Sequence, residues 1–196
     1  MSVLGLPGSG KTSQARTLAR SLDWPYLGAG GWLRGRAAQG DVAAERCVAS
    51  GRPMSPRLFS QFWDGVASVL RETTGPGVVL DGIPRDRNQL TLMESVLSPG
   101  GLCHAVWILG LPADLALERV VGRHSGRADD AAETAQARIE GEVRNLTALR
   151  LAFDGYPKAR LLVCDATLPL DRVARGGADF VSANISAWQY EGRGTS

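Results

Sequence analysis

Gly5-Leu6-Pro7-Gly8-Ser9-Gly10-Lys11-Thr12 is the stretch from which the rest of this chain is read. It matches G-x-x-x-x-G-K-[ST] in full, and it stands where that pattern has physical meaning. A short apolar run at 2–6 precedes it and a helical pattern over Lys11–Leu22 follows. Glycines let the backbone curl until successive N–H groups point inward as an anion nest. The following helix aims the positive end of its dipole at the same point. Gly8, Ser9 and Gly10 are expected to form the nest, and Lys11 to reach the β- and γ-phosphates of ATP. Thr12, or Ser13 beside it, is expected to ligate Mg2+ through its hydroxyl.

Outward from the loop, short apolar runs alternate with longer helical patterns. The runs at 2–6, 25–27, 77–80, 105–109 and 160–163 are too short for helices and are bounded by Gly, Pro or Asp, so they read as strands of a buried parallel sheet. Helical spacing covers Lys11–Leu22, 114–123, Ala132–Phe153 and 170–188, with Gly176-Gly177 weakening the last. The alternation predicts an α/β P-loop three-layer sandwich, a parallel five-stranded sheet flanked by helices. The run Gly77-Val78-Val79-Leu80 ends on Asp81, where a carboxylate able to hold Mg2+ through water belongs.

Composition narrows the partners. The 196 residues carry a net charge of +2 and 44% hydrophobic content, which suits one compact domain and makes no strong bid for nucleic acid or membrane. Cys47, Cys103 and Cys164 have no C-x-x-C spacing, which argues against zinc, and Cys103 and Cys164 adjoin apolar runs and read as buried thiols. No apolar run approaches the roughly 18 residues of a membrane span, and no signal-peptide pattern opens the chain. A cytoplasmic setting is expected. His104 and His124 are given no catalytic part.

The segment Asp81-Gly82-Ile83-Pro84-Arg85, followed by Gln89, adds to the cradle a second signature. Together they resemble the adenylate kinase and UMP/CMP kinase family, in its short-lid form, from Ser2 to about Trp188. The resemblance implies that Arg85 grips the phosphate of an acceptor nucleoside monophosphate beside Gly82, and that Gln89 reads its base. An arginine fork suits a phosphate, and an amide can donate to and accept from a base edge. Leu27-Gly28-Ala29-Gly30-Gly31-Trp32-Leu33-Arg34 is similar to the segment opening the family's acceptor-binding helices, with Arg34 as second clamp and Ala29 at the base pocket. Gly31 departs from the acidic residue usual there, and Thr12-Ser13 from the more common Gly-Thr. Met54, in the loop at 49–55, would lie against the base. Arg119, Arg123, Arg127 and Arg138 resemble the lid arginines: Arg119 stacks near the donor adenine and the other three neutralise the phosphoryl group in flight, with Lys11 and Arg85 completing the catalytic set.

The same resemblance divides the chain into a core (1–27, 75–122, 131–188), an acceptor-binding insertion (28–74), a short lid (123–130) and a tail (189–196), acting as a monomer. The expected reaction is transfer of the γ-phosphoryl group of ATP to a nucleoside monophosphate. Gln89 leans towards adenine and Ala29 towards a pyrimidine, so AMP stands slightly ahead of UMP and CMP. Two other readings share the cradle: a P-loop kinase of another small acceptor, and a non-catalytic nucleotide-binding homologue.

Overall fold

The computed structural model describes residues 1–73, 75, 77–97, 104–122, 132–156 and 159–191. Five strands, β1 (Ser2–Gly5), β2 (Tyr26–Gly28), β3 (Val79–Asp81), β4 (His104–Gly110) and β5 (Ala159–Asp165), form one sheet in the order β2-β3-β1-β4-β5. Every pairing is parallel. The helices are α1 (Lys11–Leu22), α2 (Ala29–Ala38), α3 (Val42–Ser50), α4 (Pro56–Glu72), α5 (Arg87–Leu97), α6 (Ala113–Val121), α7 (Ala132–Phe153) and α8 (Leu170–Glu191).

Parallel strands need long crossovers, and the helices between them supply these. Side chains alternate along each strand, so the sheet buries two faces. Val3, Trp107 and Leu109 belong to one core cluster with Ala15 and Leu18 of α1 and Val173 and Val181 of α8. Leu4, Val106 and Ile108 belong to another with Leu90 of α5 and Leu149 and Phe153 of α7. A third core lies under the segment between β2 and β3, where Phe59, Phe62, Trp63 and Val66 of α4 join Leu33, Leu80, Ile83 and Met93. That segment is built as local chemistry dictates. Asp41 caps α3 through the N–H groups of Ala43 and Ala44, and Ser55 caps α4 just ahead of Pro56.

The sheet, its direction and the bounds of α1 and α7 follow the sequence expectation. The strand expected at 77–80 shifts to Val79–Asp81, because pairing with β1 sets Val3 against Asp81 and carries the ladder onto the aspartate. α8 continues to Glu191, past residue 189 where a tail is expected; nothing between Trp188 and Gly192 breaks a helix. Cys164 is only half-buried, because β5 is an edge strand, while Cys47 is buried. Arg123, Arg127, His124, Cys103 and the predicted lid at 123–130 lie outside the described residues.

Of the Gly176-Gly177 pair in α8, Gly177 is a docking point and Gly176 alone a weakness of the helix. A Cβ at Gly177 would stand 2.4 Å from Cη2 of Trp107, whose side chain is 0% exposed. A Cβ at Gly176 would meet Cys164 Sγ at 3.4 Å, an ordinary contact. Two neighbouring alanine substitutions should therefore differ in sign. Gly177→Ala is expected to destabilise by about 2 kcal/mol, overpacking outweighing the roughly 1 kcal/mol that alanine gains in a helix. Gly176→Ala is expected to keep most of that gain. Urea unfolding of the two variants measures the difference, and equal midpoints would contradict it.

Candidate active site

The loop after β1 turns the backbone back on itself through Gly8, whose φ of 84° no side chain adopts comfortably and where a Cβ would lie 2.9 Å from Ala116 O. Gly10 caps α1 without any side-chain hydrogen bond. The first N–H groups of the helix thus face a cleft rather than a capping residue, which is the arrangement that binds anions.

The cleft measures about 390 Å³, within the size range of small-molecule sites. Its lining joins segments far apart in sequence: the cradle residues Gly8, Gly10, Lys11, Thr12 and Ser13; Ala29, Arg34 and Met54; Asp81, Gly82 and Arg85; Arg119; and Arg138. Ser9 is buried with a hydroxyl lacking a hydrogen-bond partner among the described residues. Gln89 is 2% exposed and is absent from the lining. Its Oε1 accepts from the Arg85 N–H at 2.8 Å, which pins the Gly82–Arg85 turn, and its Nε2 has no partner among the described residues.

Sequence reasoning missed three residues that line the cleft. Arg16 lies over the Tyr26 ring at 4.4 Å, and Tyr26 in turn donates its hydroxyl to Asp81 Oδ2 at 2.8 Å. Glu142 of α7 meets Arg85 in a salt bridge of 2.6 Å. Arg16 is one turn beyond Thr12 on α1, so helical spacing from the cradle could have flagged it. Nothing local marks Tyr26 or Glu142. Lys11, Arg16, Arg34, Arg85, Arg119 and Arg138 face the cleft against two carboxylates, Asp81 and Glu142. A polyanion is the ligand this excess of positive charge receives.

Burial draws the Lys11 ammonium down to about 8, with the charges of Asp81 and Glu142 only partly offsetting it. Its Nζ donates to Leu6 O at 3.3 Å. Burial, then Asp81, pushes the Tyr26 phenol up to about 12, so it remains a donor to that carboxylate. Burial works against the Arg85 charge, yet Glu142 more than restores it and holds the guanidinium above its ordinary range. Arg119 sits beside the cradle, its Nη1 donating to Ala166 O at 3.1 Å.

Asp81 is 6% exposed, and Oδ2 accepts from both Thr12 Oγ1 (2.7 Å) and Tyr26. Oδ1 is buried without a partner among the described residues. A buried carboxylate oxygen is seldom left so. With the Thr12 hydroxyl on the same carboxylate and Ser13 lining the same cleft, the residues fit Mg2+, which takes few protein oxygens and keeps several waters. Among the described residues no group of three or more His, Cys, Asp or Glu gathers that could hold a metal by protein ligands alone.

Comparison with known proteins adds a second line. A family model described as an AAA domain matches residues 4–136. The adenylate kinase of Xanthomonas campestris pv. campestris is 33% identical over 144 residues, covering 70% of this chain and 76% of that protein. The adenylate kinase of Thermus thermophilus is 33% identical over 140 residues, 70% of this chain and 73% of the other. The adenylate kinase of Xylella fastidiosa is 30% identical over 144 residues, with 70% and 76% covered.

Proposed function

Since the chain belongs to the adenylate kinase family, phosphotransferases with a phosphate group as acceptor, we propose that it moves the γ-phosphoryl group of ATP to a nucleoside monophosphate, AMP ahead of UMP and CMP. One observation carries the reading. A single cleft is lined both by the cradle with Lys11 and by Arg34, Met54 and Arg85.

In this reading Gly8, Ser9, Gly10 and Lys11 hold the donor phosphates, with Arg119 beside them. Arg34 and Arg85 hold the acceptor phosphate, and Ala29, Met54 and Gly82 bound its pocket. Gln89 Nε2, without a partner among the described residues, is assigned to the acceptor's base. Lys11, Arg85, Arg119 and Arg138, with Arg123 and Arg127, balance charge as the phosphoryl group passes through a loose transition state. Such a transition state needs positioning and positive charge more than covalent help. Asp81, Thr12 and Ser13 would hold Mg2+, partly through water. When bound, Mg2+ supplies charge neutralisation at the donor phosphates. The segments near 30–54 and 123–130 are the closing parts, which exclude water so that the phosphoryl group meets an acceptor rather than hydrolysis. Among the described residues no helix is long and apolar enough to cross a membrane. A cytoplasmic monomer is part of the proposal, which the free thiols Cys47 and Cys164 suit.

The test is turnover by the purified protein with ATP and Mg2+ over AMP, UMP, CMP, dCMP, dTMP and GMP. AMP is expected to give the highest kcat/KM. A higher value for UMP or CMP would overturn the base preference, and turnover of none would overturn the reading.

A further inference from the structure

A guanidinium has five N–H donors, and Arg85 has four of them engaged. Nε lies 3.2 and 3.1 Å from the two Glu142 carboxylate oxygens and supplies one bond. Nη2 supplies two, to Glu142 Oε2 at 2.6 Å and Gly51 O at 2.9 Å. Nη1 supplies one, to Arg52 O at 3.2 Å. Among the described residues, one Nη1 N–H is left without a partner.

A phosphate gripped bidentately needs two parallel donors from one edge of the fork. The Nε–Nη2 edge already carries an anion of similar bite. Resting on the reading of Arg85 as the acceptor clamp, we propose that Glu142 is a positioning residue that occupies the acceptor-phosphate seat on Arg85, gives it up when an acceptor binds, and thereby sets the acceptor's affinity and class. The exchange is an exchange of anions, with no covalent step. Arg138 lies one turn earlier on α7 and lines the same cleft, so the displaced carboxylate has a cation at i−4 within reach.

The exchange also selects. The Arg85–Glu142 pair is sunk to 19% and 8% side-chain exposure, where a lost charge pair is not made good by solvent. A hydroxyl group has no charge with which to replace it, whereas a phosphate dianion does. An acceptor lacking a phosphate is turned away here whatever its ring, which favours a phosphorylated acceptor over a free sugar or nucleoside.

Glu142→Gln keeps the shape and removes the charge. A competitor that fills the seat most of the time weakens the acceptor by the fraction of clamp it occupies, so its loss should lower the acceptor KM about five- to tenfold. The KM for ATP should not follow. Inorganic phosphate should become a stronger competitive inhibitor against the acceptor by a similar factor, and Glu142→Asp should bring both values back towards wild type. A rise in acceptor KM in Glu142→Gln would overturn the proposal, because Glu142 would then be a brace that Arg85 needs.

Wild-type protein gives an independent measurement if the variant does not fold. The Arg85 Nε–H resonance, assigned by its loss in Arg85→Lys, should move on titration with AMP or inorganic phosphate and stay still with adenosine. A resonance indifferent to both phosphates would overturn the exchange. If no nucleoside monophosphate is turned over and yet inorganic phosphate moves the resonance, the exchange stands and the acceptor is misassigned. If monophosphates are turned over and Glu142→Gln raises their KM, the function stands and the exchange falls.

Discussion

Lys11→Met is expected to lower kcat/KM on the order of 10³-fold while leaving the fold at least as stable as before. The first effect follows from losing a preorganised cation where negative charge develops. The second follows from burial. Desolvation draws the Lys11 ammonium from 10.5 to about 8, so the folded chain binds its proton less tightly than the unfolded chain does. The associated cost is present in full below about pH 8 and fades as pH rises towards 10.5, because only the unfolded chain keeps the proton in that window. Methionine removes the cost at every pH. The same titration predicts that wild-type affinity for ATP falls as pH rises past about 8, whereas that of Lys11→Met stays flat. Steady-state kinetics, urea unfolding and calorimetric ATP titration from pH 7 to 9.5 separate the effects. A variant that is inactive because it is unfolded would contradict the account.

Arg85→Ala should fail twice over. Acceptor kcat/KM is expected to fall about 10²- to 10³-fold for want of the clamp. Stability is expected to fall by about 1–3 kcal/mol, because the buried Glu142 charge loses the Arg85 fork and Arg138 at i−4 makes this good only in part. Removing both members, Arg85→Ala with Glu142→Ala, should restore most of the stability and none of the acceptor affinity. The chemical unfolding midpoint and acceptor KM of the three proteins measure this. Full stability in Arg85→Ala alone would show that Glu142 finds another partner at no cost.

What the sequence made legible was whatever chemistry is local. The cradle could be read because nest, lysine and helix start are consecutive, and α1 begins at Lys11 as expected. The strands could be read because residues buried on both faces form unbroken apolar runs, with Gly, Pro or Asp at their ends. Asp81 could be read because a strand delivers its last residue to the site. Less legible were pairings made by packing across the chain. Tyr26 reaches Asp81 over 55 positions, and Arg85 reaches Glu142 over 57. In sequence Glu142 is one more charge on an alanine-rich helix. Gly177 reads as a poor helix residue until the Trp107 ring beneath it is seen. Gln89 has the expected residue type, but its oxygen braces the turn that bears Arg85.

The short ladder between β1 and β3 has a reach beyond the core it helps to build. Leu80 N–H donates to Met1 O at 2.7 Å and Gly82 N–H to Val3 O at 3.0 Å, straddling Asp81. These bonds act as a ruler. A slip of one residue would carry the carboxylate about 3.3 Å along the strand and turn it to the opposite side of the sheet. The distance between Thr12 and Asp81 is therefore calibrated largely by main-chain atoms of Met1, Val3 and Leu80, which do not line the cleft, and the cradle's chemistry is held in tolerance by a stretch that looks, residue by residue, like inert filling.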